Sequence, residues 1–389
     1  MITVTEWADR VTALRDELVA AGKLTCPEWE AAVVAVPRHV FVPSYYIHHN
    51  GSMVPADTTT EQGRRDWLDT VYSNTAMVTK VEQTTQPTFL SSSSQPGLMT
   101  RMLEALDVHD GQRVLEIGTG TGYNAALLSH RLGQANVFSI DVEPDLIGLA
   151  RTRLAELGYH PTLVTGDGAA GLPKHAPFDR IIATCSVPSI PWPWVEQTTI
   201  GGVILTDIKV GMGAGNLVRL TRTSPDRADG MFDAGQAAFM ELRHTPGTRR
   251  RIPYTRLPQD APVTQHTTTV DPRTPWTCPV VWFLTALRIG PHYRLGYSGN
   301  DPQHAPTAVC LTTPDGSRCE VTLAPEADGS HRVNQTGPTQ LWTQLEQIYH
   351  RWDDWGQPPW PRLGLTVTTN TQTIFLDKPG NTLNVALSG

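Results

Sequence analysis

The chain has 389 residues, 39% hydrophobic and 18% charged, with a formal net charge of −7. That length is too great for one ordinary domain and suits two. The composition excludes a disordered or collagen-like chain, and the acidic balance argues against nucleic acid as a main partner, because phosphate binding needs a dense basic surface.

Helical periodicity predicts a leading helix over Trp7–Ala21, and Cys26-Pro27 opens a second over Pro27–Val36. Residues 44–80 carry no clear period and read as loop. Pro96–Leu106 reads as a helix with Leu98, Met99, Met102, Leu103 and Leu106 on one face. Arg113–Ile117 is a short strand, Tyr123–Leu132 a helix, Asn136–Ile140 a strand and Glu143–Leu157 a helix. Thr162–Thr165 is a strand closed by Gly166-Asp167-Gly168. Phe178–Thr184 is a strand, Trp194–Thr198 a short helix and Gly202–Asp207 a strand. This alternation predicts an α/β fold with a parallel, doubly wound sheet.

Beyond residue 243 the texture changes. Val280–Ile289, Ala308–Thr313 and Cys319–Leu323 read as strands, and Thr339–Asp354 as an amphipathic helix. Leu363–Thr369 and Thr373–Leu376 read as a hairpin. Residues 1–243 hold 19 Lys+Arg and 27 Asp+Glu, whereas residues 244–389 hold 12 and 11. Charge and texture thus place a cut near residue 244, between a domain of residues 1–243 and a C-terminal α+β accessory domain of residues 244–389.

No run of about 18 apolar residues predicts a membrane span, and the N-terminal stretch lacks the apolar core of a signal peptide. The cysteines, Cys26, Cys185, Cys278, Cys310 and Cys319, are scattered and contain no C-x-x-C pair. Neither a disulfide framework nor a zinc site is expected, and the usage fits a reducing cytoplasm. The histidines show no ligand spacing, so no metal is expected, and His48-His49 reads as a surface loop pair.

The pattern that carries chemistry is Val114-Leu-Glu-Ile-Gly-Thr-Gly-Thr-Gly-Tyr-Asn, residues 114–124, between a strand and a helix. Gly118, Gly120 and Gly122 allow a tight turn and let a ligand touch bare backbone. A related loop serves dinucleotides, so the glycines alone do not choose the ligand. Glu116, two residues before the first glycine, is placed to meet a cationic amino group. Asp141 ends the next strand, placed to accept both ribose hydroxyls. The dinucleotide fingerprint lacks its third glycine here, and a pyrophosphate would sit badly beside Glu116. A zwitterionic, cationic adenosyl ligand such as S-adenosylmethionine fits better. Asp167 follows the third strand, where a carboxylate can take the adenine amino group; the structural alternative is a plain Asp-Gly turn.

Further segments stand in order: Val36-Pro37-Arg38-His39-Val40-Phe41-Val42-Pro43, Ser93-Ser94-Gln95-Pro96, Pro177-Phe178-Asp179-Arg180-Ile181-Ile182-Ala183-Thr184 and Gly201-Gly202-Val203-Ile204-Leu205. With the glycine loop, they make residues 5–243 resemble the protein-L-isoaspartate O-methyltransferases. The resemblance implies a Rossmann-like class I methyltransferase domain using S-adenosylmethionine, with S-adenosylhomocysteine as product. The implied cofactor residues are Glu116, Gly118, Thr119, Gly120, Gly122, Tyr123, Asp141, Val142, Asp167 and Gly168.

The implied reaction is methyl transfer to a peptide or protein carboxylate, already ionised at pH 7, so no general base is required. Catalysis then rests on positioning the nucleophile and excluding water. The family's serine before the Gln-Pro step maps to Ser94, with Ser93 second; the structural alternative is a polar loop that caps the helix at Pro96. Thr184, Cys185, Ser186 and Val187 are implied to border the substrate cleft. Cys185 reads as a small buried residue rather than a nucleophile.

The chain departs from the family in three places, the first being a longer segment between Phe41 and Ser94. Leu205-Thr206-Asp207-Ile208-Lys209 stands where a Pro-Val-Gly-like step is usual, and residues 244–389 extend the chain. The extension carries Trp276, Trp282, Trp342, Trp352, Trp355 and Trp360. Trp282, Trp342 and Trp352 read as core; Trp355 and Trp360 read as candidates for an exposed contact. Extended relatives of this kind resemble the methyltransferases found with ribosomally made peptides, including graspetides, lanthipeptides and lasso peptides. The expectation is esterification of an ordinary Asp in a modified precursor peptide, the ester closing to a succinimide (aspartimide). The alternatives are isoaspartyl repair, a small-molecule methyltransferase, and a non-catalytic adaptor that binds S-adenosylmethionine.

Overall fold

Apolar residues at helical spacing bury one face of α1 (Val4–Ala20), with Val11, Leu14 and Leu18 nearly inaccessible. They pack with α2 (Pro27–Ala35), which Pro27 opens at a position where no backbone N–H is needed. The single turn α3 (Arg38–Phe41) drives Arg38 and Phe41 fully inward. The computed structural model describes residues 4–49, 52–83, 87–247, 252–258, 260–298 and 305–387.

The stretch expected as loop is instead largely ordered. It holds β1 (Tyr46–His49), β2 (Ser52–Pro55), α4 (Glu61–Val71) and β3 (Met77–Glu82), followed by β4 (Thr88–Ser93). The strands form a small antiparallel sheet in the order β2-β1-β3-β4. Their four to six residues are mostly part-exposed, so they leave no alternation to read. His48 and His49 lie exposed on β1 rather than on a loop.

The regular part follows: α5 (Pro96–Leu106), β5 (Val114–Ile117), α6 (Tyr123–Leu132), β6 (Val137–Asp141), α7 (Pro144–Glu156), β7 (Thr162–Thr165), β8 (Phe178–Val187), α8 (Trp192–Gln197) and β9 (Thr198–Gly211). The parallel strands run β9-β8-β5-β6-β7. Strands β5 and β6 are buried on both faces, as a sheet covered by helices requires. Strand β9 turns back at Met212-Gly213 into antiparallel β10 (Ala214–Ser224), which pairs with β11 (Arg227–Phe232).

The remainder holds β12 (Val263–Thr268), α9 (Thr274–Thr277), α10 (Pro279–Ile289), β13 (Arg294–Ser298), β14 (Ala308–Thr312), β15 (Arg318–Thr322), β16 (His331–Thr336) and α11 (Leu341–Asp354). It ends in β17 (Leu363–Thr368), β18 (Gln372–Leu376) and β19 (Thr382–Ala386). Five strands make a separate antiparallel sheet, β12-β16-β15-β14-β13. The run expected as a strand at Val280–Ile289 is α10. Val280 to Ala286 are all buried, so its helical period is hidden by apolar residues on every side.

The hairpin of β17 and β18 forms as expected, yet it does not stay with the accessory sheet. Strand β17 pairs with β11, which extends the catalytic sheet to ten strands, β19-β18-β17-β11-β10-β9-β8-β5-β6-β7. The sheet thus continues across the cut near residue 244. The core is shared too. Phe232 on β11, Phe283 on α10 and Trp360 form a ring cluster with centroids 5.2, 5.3 and 5.4 Å apart. Trp360 is therefore a core residue rather than an exposed contact, as are Trp282 and Trp342. Trp276 is the exposed one, stacked on Tyr297 at 4.8 Å. Among the described residues no helix is long and apolar enough to cross a membrane.

Phe283→Ala removes one member of the cluster that joins the two parts. It should destabilise the whole chain by roughly 3–5 kcal/mol. Denaturant unfolding followed by far-UV circular dichroism should show one shifted transition. Two transitions, with only the second shifted, would mean that the parts fold independently.

Candidate active site

In an open parallel sheet, ligands gather at the carboxyl ends of the strands, where the strand order reverses. Here that point lies between β5 and β8, and the glycine loop sits on it. Gly118 (φ +95°) and Gly122 (φ +90°) occupy left-handed backbone that favours glycine. A side chain at Gly118 would meet Thr184 Oγ1 at 2.9 Å, and one at Gly122 would meet Ala150 on α7 at 2.9 Å. The loop is held from below. Gly118 donates to the Ile140 carbonyl (2.8 Å), and Thr184 Oγ1 donates to the Gly118 carbonyl (2.7 Å).

The acidic groups converge on this loop. Glu116 is fully buried; its carboxylate accepts from Asn124 Nδ2 (2.8 Å) and Ser139 Oγ (2.6 Å). Burial pushes its carboxyl up to about 7, against the pull of those two hydrogen bonds. Asn124 Oδ1 is buried with no partner. Thr119 is buried with its hydroxyl 2.6 Å from Ser139 Oγ. Asp141 accepts from the backbone N–H groups of Gly120 (2.9 Å) and Glu143 (3.0 Å), which fixes its orientation. Burial raises its carboxyl, opposed by those two N–H groups.

One cleft is lined by Glu116, Gly118, Thr119, Gly120, Tyr123, Asn124, Asp141, Val142 and Gly168, together with Ser91 to Ser94. Every expected cofactor residue lines it except Gly122 and Asp167. Gly122 packs on α7 instead. Asp167 caps a short turn through the Ala169 N–H (2.9 Å) and meets His244 Nδ1 at 3.0 Å.

The four serines divide. Ser91 and Ser93 are buried, while Ser92 and Ser94 are part-exposed. Ser93 Oγ accepts from the Arg38 guanidinium at 3.1 Å, so it serves the scaffold. Arg38 also donates to the carbonyls of Val71 (2.8 Å), Ser73 (3.1 Å), Thr75 (3.2 Å) and Ser94 (2.9 Å). Its partners are carbonyls and a hydroxyl, and burial lowers its guanidinium to about 10. Ser94 lies where two clefts join. The second cleft is lined by Lys23, Gln95, Gly97, Leu98, Arg101 and residues 236–240. Ser92, Ser94, Thr184 and Met240 line both.

The expected substrate loop is only half in place. Thr184 and Cys185 line the first cleft, and the Cys185 thiol is buried, which raises its pKa. Ser186 and Val187 line neither cleft. They continue β8, and the chain covers them by returning over the site. The Ser186 N–H donates to the Met240 carbonyl (2.8 Å), and the Leu242 N–H donates to the Ser186 carbonyl (2.8 Å). This returning strap, residues 236–247, also carries Arg243. Arg243 pairs with Glu143 and donates to the Leu90 carbonyl at 3.0 Å. Lys80 Nζ (3.0 Å) and the Gly247 N–H (2.9 Å) complete the Glu143 site. Burial raises the Glu143 carboxyl, but these hydrogen bonds prevail and bring it down to about 2. Met240, Glu241, Leu242 and Arg243 therefore line the first cleft. Their sequence carries no local signal, because a long-range parallel bridge puts them there.

The family model for protein-L-isoaspartate(D-aspartate) O-methyltransferase matches residues 9–240. The protein-L-isoaspartate O-methyltransferase of Rhodospirillum rubrum is 38% identical over 189 residues, 46% of this chain and 82% of that one. Protein-L-isoaspartate O-methyltransferase 1 of Archaeoglobus fulgidus is 36% identical over 197 residues, 50% of this chain and 76% of that one. A solved structure named protein-L-isoaspartate O-methyltransferase shares the fold, with a TM-score of 0.55 at 22% identity. The match covers 95% of this chain and 100% of that chain.

Arg38→Met should cost roughly 3–5 kcal/mol in urea unfolding, because five oxygen acceptors lose their donor. Arg38→Lys should recover only part of it, since an ammonium cannot span both branches of the fork. Glu116 gives a pH signature. Its folded value lies above the ordinary 4.5, at about 7. Its contribution to stability is therefore full below the ordinary value and is lost as pH rises through about 7. Glu116→Gln should gain in melting temperature relative to the parent between about pH 5 and pH 8. Parallel curves for the two proteins would refute the assignment.

Proposed function

The chain belongs to the protein-L-isoaspartate O-methyltransferase family, and on that footing we propose that it esterifies the free carboxylate of isoaspartyl residues in peptides or proteins. S-adenosylmethionine is the family's methyl donor. The observation that carries the reading is the junction of the two clefts at Ser94 and Thr184. One cleft has Glu116 and Asp141 in its lining; the other has Lys23 and Arg101. A cationic donor and an anionic acceptor thus find opposite charge on either side of one serine.

The residues present fit the donor. A buried carboxylate whose charge is disfavoured, beside an amide oxygen with no partner, suits an ammonium group. Bound S-adenosylmethionine supplies an electrophilic methyl group. Glu116 and Asn124 would hold the amino group, and Asp141, fixed by two backbone N–H groups, would take the ribose hydroxyls. The Ser94 hydroxyl donates to the acceptor carboxylate and orients it. No proton needs removing, since that carboxylate is ionised at neutral pH. The strap closes one side and limits water.

The narrower reading, an ordinary aspartate in a modified precursor peptide whose ester closes to a succinimide, rests on the extension beyond residue 243. A solved structure bearing the isoaspartate name aligns with 95% of this chain. Extra length is thus weak support for a different acceptor, and the isoaspartyl reading takes precedence.

Labelled S-adenosylmethionine tests both readings against an isoaspartyl peptide, its aspartyl twin and a cyclised precursor peptide. Methyl incorporation is expected in the isoaspartyl peptide and not in its twin. Incorporation confined to the cyclised peptide would overturn the proposal in favour of the narrower reading. Ser94→Ala should lower kcat on the isoaspartyl peptide by roughly 10²-fold, the scale of losing one oriented donor. Its affinity for S-adenosylhomocysteine should stay at the parent's level.

A further inference from the structure

The segment Leu205–Lys209 departs from the family's usual step, and the structure gives that departure a task. Asp207 and Lys209 are two residues apart on β9, so their side chains leave the same face of the sheet. Both reach the backbone of one strap residue, Phe239, one at its N–H and the other at its carbonyl. Asp207 Oδ2 accepts from the Phe239 N–H at 2.9 Å, and Lys209 Nζ donates to the Phe239 carbonyl at 2.9 Å. Ser186 Oγ donates to the same carbonyl at 3.3 Å. Asp207 is fully buried, and its Oδ1 has no partner. A buried carboxylate with one oxygen unused is costly unless the other makes a bond that matters.

Phe239 sits where the strap passes between the clefts. Residues 236–240 line the second cleft together with Ser94 and Gln95, and residues 240–243 line the first. The first-cleft end has its own anchors, Arg243 on Glu143 and the backbone pairing to Ser186. At the second-cleft end, Arg101 holds the Gln236 carbonyl (3.1 Å), and the grip at Phe239 holds the strap beside Met240.

We propose that Asp207 and Lys209 are positioning residues for the acceptor: by gripping the N–H and the carbonyl of Phe239, they hold the strap as a fixed wall of the acceptor cleft that Ser94 also lines. The inference rests on the proposed acceptor reaction for its kinetic arm only. Neither residue lines the first cleft, so their loss raises the KM for the peptide and leaves donor affinity in place.

The test uses the full chain with Asp207→Ala, Asp207→Asn and Lys209→Met. Asp207→Ala should raise the KM for an isoaspartyl peptide about tenfold, the effect of one charge-assisted hydrogen bond. S-adenosylhomocysteine affinity should stay within about twofold of the parent by calorimetry. Asp207→Asn keeps an oxygen for the Phe239 N–H and should recover most of the loss, whereas a lost negative charge alone would not be recovered. Hydrogen exchange gives an arm that needs no acceptor. The Phe239 amide should exchange faster in Asp207→Ala, with Leu242, β5 and β6 unchanged. Faster exchange in a chain whose parent methylates no isoaspartyl peptide would sink the functional reading and keep the strap assignment. Unchanged exchange, or a rise in peptide KM accompanied by a loss of donor affinity, would overturn the strap assignment itself.

Discussion

One buried guanidinium organises the site. Arg38 gathers the carbonyls of Val71, Ser73, Thr75 and Ser94 and the hydroxyl of Ser93 around a single planar fork. Those acceptors come from the end of α4, the loop before β3 and the end of β4. None of the segments is regular enough to satisfy its own backbone there, and buried carbonyls need donors. The charge is compensated by carbonyl dipoles, and a neutral donor could not serve so many at once. The serine turn is rigid for that reason. Ser93 is tied to the scaffold, and Ser94, one residue on, is left at the neck between the clefts.

The regular part of the fold was legible because its signals are local. Strands β5, β6 and β7 and helices α5, α6 and α7 come within one or two residues of their expected spans, and the glycine loop marks its own turn. Glu116, Gly118, Asp141 and Val142 follow, since each lies at a strand end or in the loop after it. The small sheet of β1 to β4 was missed because its short, part-exposed strands give no alternation. Helix α10 was missed for the opposite reason, as burial on every side erases the period. The strap was beyond reach, because Met240 to Arg243 acquire their place by pairing with Ser186, and nothing in their own sequence records that partner. Asp167 shows a further limit. A carboxylate in the expected position is engaged by its own turn and by His244, which comes from far along the chain.

The accessory region also takes a different meaning once the sheet is traced. A change in composition near residue 244 marks a change in surface chemistry, and the sheet and core disregard it. Strands β17 to β19 close the side of the catalytic sheet farthest from the cofactor loop, while β12 to β16 build a separate layer over α10 and α11. The methyltransferase core and the extension share Phe232, Phe283 and Trp360, so neither can be described as a module appended to the other.

That continuity bears on how the chain is made. Strand β11 is complete at residue 232, but its neighbour β17 begins only at residue 363. At ordinary rates of synthesis the interval is roughly 7–26 seconds. During it, a nascent sheet carries an open edge of unpaired N–H and C=O groups, beside apolar side chains still waiting for α10. An edge of that kind is a template for pairing with a neighbouring chain. Protection of one strand during translation, a requirement quite separate from catalysis, is therefore imposed by the sheet's connectivity.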